Sequence, residues 1–380
     1  MFNFWDFLSV PPLAERQPLT GTSFTQFLLP AVLCYYATAV FVLLPRTLLI
    51  RFALLPISLV ALFYAFTVGM RVTIWAFKTK PLKRRPVNAP KDENPSLTSF
   101  KQTFTDAMDL CFNLRGIGWD WSRGLKIPEE TRDITSRSTF LWSTLWWTVR
   151  DTFFFDLSHY VLQWFSPTTL GSPVGGTIFD ESLPAVQRYA RSTIITLLFG
   201  FVGYWMIDCL YHTSTLIGVL IFRQDPSQWP PLSNKPYLAR SLNEFWTFRW
   251  HQSFRDCFIH IGSNPFYIIF GKYGAILGAF VVSGILHDLG CWAMGRGTEP
   301  MRVSGFFIMS GIGCILEILF KTYTGKRVGG ALGTIWAMTW LLLWGSRLVD
   351  AWALRGFIGS EFIETPFRPS TWLFGRLPSP

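Results

Sequence analysis

Residues 266–290 read FYIIFGKYGAILGAFVVSGILHDLG, a run with one basic and one acidic residue, Lys272 and Asp288. A helix needs about 20 mostly apolar residues to cross the hydrocarbon core of a bilayer, and this run is long enough. The stretch therefore predicts a membrane-spanning helix. It also places a histidine, His287, at the end of an otherwise apolar helix.

Six further stretches have the same apolar character. They are Phe24–Leu44, Phe52–Met70, Thr139–Phe165, Ser192–Phe222, Val303–Phe320 and Gly329–Leu348. The third is interrupted by charged residues, and the fourth is long enough to tilt or break. We therefore expect one membrane-embedded domain over residues 1–380. Its fold class would be an all-α, multi-pass transmembrane helical bundle with seven spans, or eight or nine if some pieces are re-entrant.

The composition agrees with a membrane protein. Half of the residues are apolar, 17% are aromatic and 15% are charged, whereas soluble domains carry about 25% charged residues. The formal net charge of +10 lies in loops, where membrane lipid, orientation or an anionic substrate explains it better than nucleic acid. Six cysteines occur without a CxxC pair, so neither a disulfide framework nor a metal site is expected. The first 23 residues lack the basic segment of a signal peptide.

The loop charges predict the orientation of the chain. Residues 71–91 hold seven basic residues and no acidic one, so the linker over about residues 71–137 should be cytosolic. Residues 166–187 contain two acidic residues and no Lys or Arg, which indicates the opposite side. Residues 223–264, with five basic residues, and the basic loop 321–327 should return to the cytosol.

Residues 241–258 read SLNEFWTFRWHQSFRDCF and combine aromatic with charged side chains. Ser241 and Glu244 have the spacing of a capping box, so a helix should begin here. Trp246 and Trp250 would share one stripe of that helix. The adjacent stripe would consist of Glu244, Thr247, His251 and Arg255. Such a helix suits a water-filled cavity in the membrane, although a plain interfacial anchor would show the same pattern.

His287 is the second candidate for chemistry. An ionisable residue in a spanning helix is costly and by default indicates function. Ser283 and Gly284 lie one turn earlier on the same face, and small residues allow a helix or a substrate to come close. The alternative is a histidine that caps a helix C-terminus at the interface.

Three other features are weaker. Asp208 and His212 are one turn apart, and Asp156 and His159 have similar spacing. A proton relay is possible for either pair, but an ion pair within one helix is favoured. Glu317 also lies in an apolar stretch without an assigned role. The sequence has no H-x-x-x-D at its histidines, no Walker A motif, no G-x-S-x-G and no H-E-x-x-H.

The segment from Ser241 to His287 resembles the signature of membrane-bound O-acyltransferases, in the wax-synthase-like branch. That branch has an S-L-x-x-F-W-x-x-R-W-(N/H) block, followed by an apolar helix that ends in S-G-x-x-H. Ser241-Leu242, Phe245-Trp246, Arg249-Trp250-His251 and Ser283-Gly284-Ile285-Leu286-His287 fill this pattern in order. His251 stands where many members carry Asn. The motif region covers residues 241–290, and the chain is most similar to fungal acetyltransferases of terpenoid and meroterpenoid biosynthesis.

The resemblance implies an acyl-CoA-dependent enzyme in the endoplasmic reticulum membrane. His287 would be the general base, and His251 would donate a hydrogen bond to the thioester carbonyl. Arg249 and Arg255, with Trp246 and Trp250, would bind acyl-CoA. The substrates would be acetyl-CoA and a hydrophobic alcohol, with no cofactor beyond that co-substrate and no nucleic-acid partner.

Two alternatives remain from the sequence. A wax-ester synthase would use a long-chain acyl-CoA and a fatty alcohol. A proton-coupled transporter would use Asp208, His212 and Glu317 and would be built from inverted repeats. No internal repeat is visible in the sequence.

Overall fold

The computed structural model of the chain describes residue 10 and residues 15–16, 20–60, 66–84, 99–122 and 124–377. These residues form an all-α fold, and no β-strand occurs among them. The longer helices, in chain order, are α1 (Leu29–Val42), α2 (Leu48–Val60), α3 (Phe66–Phe77), α4 (Phe100–Phe112), α5 (Arg137–Trp164), α6 (Ala185–Leu220), α7 (Asn264–Ala293), α8 (Pro300–Thr324), α9 (Gly330–Leu354) and α10 (Pro369–Phe374). The all-α prediction is confirmed.

Four helical segments are long and apolar enough to cross a membrane, namely Gly21–Val42, Ala185–Leu220, Arg255–Ala293 and Pro300–Thr324. Predicted spans Thr139–Phe165 and Gly329–Leu348 coincide with α5 and α9, but the count of seven to nine spans stays a prediction. Predicted span Phe52–Met70 falls on two shorter helices, α2 and α3. Residues 61–65, between these helices, lie outside the described residues, as does the linker part at residues 85–98.

The chain divides into two compact units, and the first consists of Met1–Lys126 and Gln252–Thr298. In this unit α1 packs against α2, α3 and α4. Its hydrophobic core includes Ala39, Trp75, Leu110 and Val282, which come from α1, α3, α4 and α7. The core therefore joins the N-terminal helices to the helix that carries His287.

Arg71 was expected at the start of a cytosolic loop, and this expectation is wrong. Arg71 lies inside α3, and only 4% of its surface is exposed. Its guanidinium donates to the carbonyl oxygens of Leu110 and Asn113 and lies 4.9 Å from the ring centre of Trp75. The guanidinium therefore holds α3 against the end of α4. It donates to carbonyl oxygens that lack partners within the helix because they lie at its C-terminus.

The second unit consists of Ile127–His251 and Glu299–Pro380. Helix α5 packs along α6, and α9 contacts both α6 and α8. The core includes Phe155 on α5, Ile195 and Phe199 on α6, Val349 on α9 and Ile358 beyond it. The proposal of one domain over residues 1–380 stays a prediction.

The C-terminal segment is fixed to α5 by a buried ion pair. Arg368 Nε donates to Asp156 Oδ1 at 2.8 Å, and Ser370 N donates to Asp156 Oδ2 at 2.7 Å. Arg368 also donates to Gln163 Oε1 at 3.1 Å. Because Asp156 is 1% exposed, its charge requires these partners.

The sequence predicted one membrane-spanning helix for the apolar run at residues 266–290. The structure shows instead that this run is not one straight helix. Gly271 has φ 63° and ψ −155°, which are not helical angles. A Cβ atom on Gly262 would lie 2.3 Å from the carbonyl oxygen of Gly278, whereas 16 residues of straight helix extend about 24 Å. The chain therefore reverses at Gly271 and forms a helical hairpin from Arg255 to Ala293.

Glycines make this hairpin possible. The φ and ψ of Gly271 lie in a region that is essentially restricted to glycine and costs other residues about 1–3 kcal/mol, so the turn favours glycine. Along the seam, Cβ atoms on Gly274 and Gly278 would lie 2.6 Å and 2.5 Å from the carbonyl oxygens of Phe266 and Gly262. Any larger residue would push the two arms of the hairpin apart. The spacing of these glycines in the sequence indicates close packing of two helices. The continuous apolar run nevertheless led to the prediction of a single span.

We predict that the two ends of the hairpin lie on the same side of the membrane, because its arms are antiparallel. Ser253→Cys and Met294→Cys should therefore react alike with a membrane-impermeant maleimide in sealed microsomes. The wild-type chain, with its six native cysteines, gives the background labelling. Reaction of the two sites from opposite sides would instead support a single span.

Candidate active site

The motif at residues 241–258 is not one continuous helix, which corrects the prediction. It has a short α-helical turn at Leu242–Glu244 and a π-helix at Phe245–Arg249. Trp250 is extended, with φ −80° and ψ 151°, and the next helix begins at Arg255. His251 and Arg255 therefore do not extend a helical stripe from Glu244. Wide π-turns within helices are frequent at functional sites, and two occur close to this break.

Only half of the predicted capping box forms. Ser241 Oγ accepts a hydrogen bond from Glu244 N at 3.0 Å. The Glu244 carboxylate accepts from Arg240 N at 2.7 Å, one residue before the position that the capping box requires. The backbone N–H groups of Leu242 and Asn243, at the start of the helix, need another acceptor because the helix supplies none.

Glu317 on α8 is that acceptor. Its Oε1 accepts from Leu242 N at 2.6 Å and from Trp336 Nε1 at 2.9 Å. Its Oε2 accepts from Asn243 N at 3.0 Å and from Asn243 Nδ2 at 2.8 Å. Glu317 is 6% exposed, and its carboxylate receives four hydrogen bonds. Charge-assisted bonds of this kind are about twice as strong as neutral ones.

Glycines bring the neighbouring helices close to the same point. A Cβ atom on Gly333 would lie 2.1 Å from the carbonyl oxygen of Arg240, and one on Gly313 would lie 2.5 Å from Leu242 Cδ1. Helices α8 and α9 therefore contact the start of the motif directly. Gly313 belongs to the Gly311-Ile312-Gly313 sequence, and this contact explains it by packing.

The end of the π-helix is fixed by Arg249. Its Nε donates to Glu244 Oε1 at 2.7 Å, and one Nη donates to the carbonyl oxygen of Asn234 at 3.1 Å. Asn234 N in turn donates to the carbonyl oxygen of Arg249 at 2.8 Å. These bonds join the motif to the preceding loop. They support a structural role for Arg249 more directly than a contact with CoA phosphate.

The two motif tryptophans have different surroundings. Trp246 packs against Phe306 and Phe307 of α8, with each ring centre 6.1 Å away. Trp250 stacks on Phe245 with a centre separation of 5.6 Å and an interplanar angle of 14°. The ring centres of Trp250 and His251 are 5.3 Å apart. Trp246 therefore anchors the motif on α8, and Trp250 supports the His251 ring.

His287 belongs to the first unit, on the second arm of the hairpin. Its Nδ1 lies 2.7 Å from the carbonyl oxygen of Ser283, one turn earlier. Because a carbonyl oxygen only accepts, Nδ1 must donate, and the neutral ring then carries its lone pair on Nε2. This is the tautomer that a general base needs when it takes a proton through Nε2.

Arg255 lies at the base of the same hairpin. The contact of Gly262 with Gly278 and that of Phe266 with Gly278 define how the arms are aligned. Extending this alignment towards the base places His287 at the level of residues 253–257. Arg255 Nη2 lies 3.5 Å from the position of a Cβ atom on Gly124. Arg255 and His287 thus belong to the same end of the hairpin.

A second histidine of the hairpin, His260, is engaged at both ring nitrogens. Its Nε2 lies 3.0 Å from Lys78 Nζ, which donates to it. Its Nδ1 lies 3.1 Å from Asp256 Oδ1 and 3.0 Å from the Asp256 carbonyl oxygen. Sequence reasoning did not single out this group. These bonds join Lys78, which directly follows α3, to the first arm of the hairpin.

The predicted ion pairs within single helices are wrong. His212 Nδ1 on α6 lies 2.7 Å from Asp151 Oδ2 on α5. His159 Nε2 lies 2.7 Å from the carbonyl oxygen of Ile358, and Asp156 binds Arg368. His212, His159 and Asp156 each have a partner that is distant in the sequence, and a periodicity argument cannot identify such partners.

Comparison with known proteins supports the resemblance found in the motif. The model of the "Membrane bound O-acyl transferase family" matches residues 229–309, a range that contains both His251 and His287. The acetyltransferase spyB of Aspergillus fumigatus is 26% identical over 45% of this chain and 34% of its own length. The resemblance to membrane-bound O-acyltransferases, including fungal acetyltransferases, is therefore confirmed.

Plant enzymes are also similar. The long-chain-alcohol O-fatty-acyltransferase of Simmondsia chinensis is 32% identical over 40% of this chain and 47% of its own length. The acyl-CoA–sterol O-acyltransferase 1 of Arabidopsis thaliana is 34% identical over 42% of this chain and 49% of its own length. The chain thus spans between about a third and a half of the length of these curated relatives.

We predict that Arg249→Ala lowers the stability of the protein by about 1–3 kcal/mol, because it leaves Glu244 and the Asn234 carbonyl without a charged donor. The midpoint of thermal unfolding in detergent measures this effect. Arg327→Ala, in an exposed loop, is the control and should leave the midpoint unchanged. An unchanged midpoint for Arg249→Ala, together with a raised KM for acyl-CoA, would instead support the binding of a CoA phosphate by Arg249.

Proposed function

We propose that the protein is a membrane-bound O-acetyltransferase that transfers acetyl from acetyl-CoA to a hydroxyl of a hydrophobic terpenoid or meroterpenoid. The observation that carries this proposal is the hydrogen bond from His287 Nδ1 to Ser283, 2.7 Å long. It leaves Nε2 as the basic atom of a histidine at the position where the family pattern has its catalytic one. The fungal acetyltransferases among the relatives support acetyl as the acyl group. The terpenoid acceptor and the setting in secondary metabolism rest on the resemblance of the sequence.

The reaction follows from this tautomer. His287 Nε2 takes the proton of the acceptor hydroxyl as its oxygen attacks the thioester carbonyl. The carbon–sulfur bond then breaks, and the CoA thiolate leaves and takes the proton from the imidazolium. The products are an acetate ester and free CoA. No acyl-enzyme is required, because the thioester is already activated.

His251 is the proposed hydrogen-bond donor to the thioester oxygen as negative charge develops on it. A donor of this kind contributes most when it is fixed before the reaction begins. The Trp250 ring, 5.3 Å from that of His251, supports such a fixed position. Arg255, at the base of the hairpin, is the proposed partner of a CoA phosphate.

The membrane has a chemical role in this proposal. The apolar helices support an integral membrane protein, and the endoplasmic reticulum is the proposed membrane. A lipid-soluble alcohol can reach the site through the bilayer, whereas CoA arrives from the cytosol. A site that excludes water also limits hydrolysis of the thioester.

A wax-ester synthase is the second candidate, and one plant relative favours it. The long-chain-alcohol O-fatty-acyltransferase of Simmondsia chinensis is 32% identical over 40% of this chain, compared with 26% over 45% for the Aspergillus fumigatus acetyltransferase. Assays with labelled acetyl-CoA and palmitoyl-CoA, each with terpenoid and fatty alcohols, distinguish the two. Preference for palmitoyl-CoA and a fatty alcohol would replace the acetyltransferase proposal.

The transporter alternative is less well supported. It assigned a proton pathway to Asp208, His212 and Glu317. Glu317 accepts four hydrogen bonds that organise the motif, and His212 is bonded to Asp151. These contacts connect Glu317 to the motif and His212 to α5.

We predict that His287→Ala abolishes acetyl transfer while the protein remains folded in the membrane. General-base catalysis typically contributes about 10²–10⁴-fold to the rate. Microsomes that contain equal amounts of each variant are assayed with labelled acetyl-CoA and a panel of terpenoid alcohols. His260→Ala is the matched control on the same hairpin and should retain turnover. Near-normal turnover by His287→Ala would overturn the assignment of the base.

We further predict that His251→Asn keeps more activity than His251→Ala. The Asn amide still donates a hydrogen bond to an oxyanion, whereas alanine offers none. Rates of acetyl transfer, normalised to folded protein, measure the difference. Equal inactivity of the two variants would show that position 251 needs a group that transfers a proton.

A further inference from the structure

We propose that Glu317 is a positioning residue for the reaction, and that it acts by fixing the segment that carries His251. This inference rests on the proposed function. Glu317 lies 75 positions from Leu242 in the sequence, and no motif match assigns it a role. Its four hydrogen bonds are directed at the start of the motif and at Trp336.

The motif segment is short and depends on outside support. Its α-helical turn has three residues and its π-helix has five. Such short helices are not stable alone, because the cost of nucleation exceeds the gain from few internal bonds. The segment is fixed at its start by Glu317 and at its end by Arg249 and the Asn234 loop. Removing either support frees the chain that leads to His251.

The arrangement of hydrogen-bond donors around Glu317 requires a carboxylate at this position. All four groups that face Glu317 are N–H donors, two on each oxygen, and a carboxylate is the side chain that accepts on both sides. In Glu317→Gln, the amide NH₂ must face two donors whichever way it turns. The substitution keeps the volume of the side chain but not the hydrogen bonds. Its effect should therefore come from the position of the motif and not from a cavity.

The link to His251 is through the chain. Leu242 and Asn243 begin the segment, and Trp250 stacks on Phe245 within it. A shift of the first turn therefore moves the Trp250 ring and, with it, His251. A displacement of about 1 Å in a reacting geometry can cost about 10²-fold in rate.

The test is a double-mutant cycle with measurement of kcat and KM for acetyl transfer. Glu317→Gln should lower kcat by about 10- to 100-fold with little change in the KM for acetyl-CoA. In a His251→Ala background, Glu317→Gln should cause little further loss, because its effect passes through the missing imidazole. Trp336→Phe removes one bond of Glu317 that does not reach the motif, and it should leave kcat within about threefold of wild type.

A purely structural role would give a different result. Glu317→Gln would then lower the unfolding temperature and the amount of folded protein, with kcat per folded molecule unchanged. Equal loss in the wild-type and His251→Ala backgrounds would also overturn the inference. If the wild-type protein transfers no acyl group, the proposed function itself fails, and this inference fails with it. If the wild-type protein transfers acyl groups but the effects of Glu317→Gln and His251→Ala are additive, the inference about Glu317 is wrong and the proposed function stands.

Discussion

The buried carboxylate of Glu317 is the interaction on which the motif depends. A helix start leaves N–H groups without acceptors, and in an apolar protein they cannot be left unsatisfied without a cost of about 1–3 kcal/mol each. Ser241 satisfies one of these donors, and Glu317 satisfies those of Leu242 and Asn243. The geometry of the signature sequence is therefore set by a residue outside it. A motif can be complete in sequence and still need this partner to be functional.

The hairpin at Gly271 follows from a second constraint, the absence of side-chain bulk. The φ of 63° at Gly271 and the close approach of Gly262 to Gly278 both exclude a Cβ atom. These glycines bring the arm with His287 back alongside the arm that begins at Arg255. His287, the proposed base, and Arg255, the proposed phosphate ligand, are thereby placed at the same end of one structural unit. In a single straight helix, which the apolar composition alone would indicate, His287 and Arg255 would lie far apart.

The sequence predicted the helices and the family resemblance better than the arrangement of the candidate site. Apolar runs correctly indicated helices at α5, α6, α8 and α9, because hydrophobic length is a local property. The motif singled out His251 and His287 as candidates for catalysis, since residue identity is also local, and their roles stay a prediction. The hairpin turn, the break after Arg249 and the roles of Glu317 and Asp151 depend on contacts between distant residues. Periodicity paired His212 with Asp208, whereas packing of α5 on α6 paired it with Asp151.

The ion pair between Arg368 and Asp156 has a consequence for the order of events during synthesis. The two residues are 212 positions apart, and at roughly 5–20 residues per second the ribosome needs roughly 10–40 s to pass from one to the other. During that interval α5 carries a carboxylate whose final partner does not yet exist. The second unit can therefore complete this contact only after Arg368 has been synthesised.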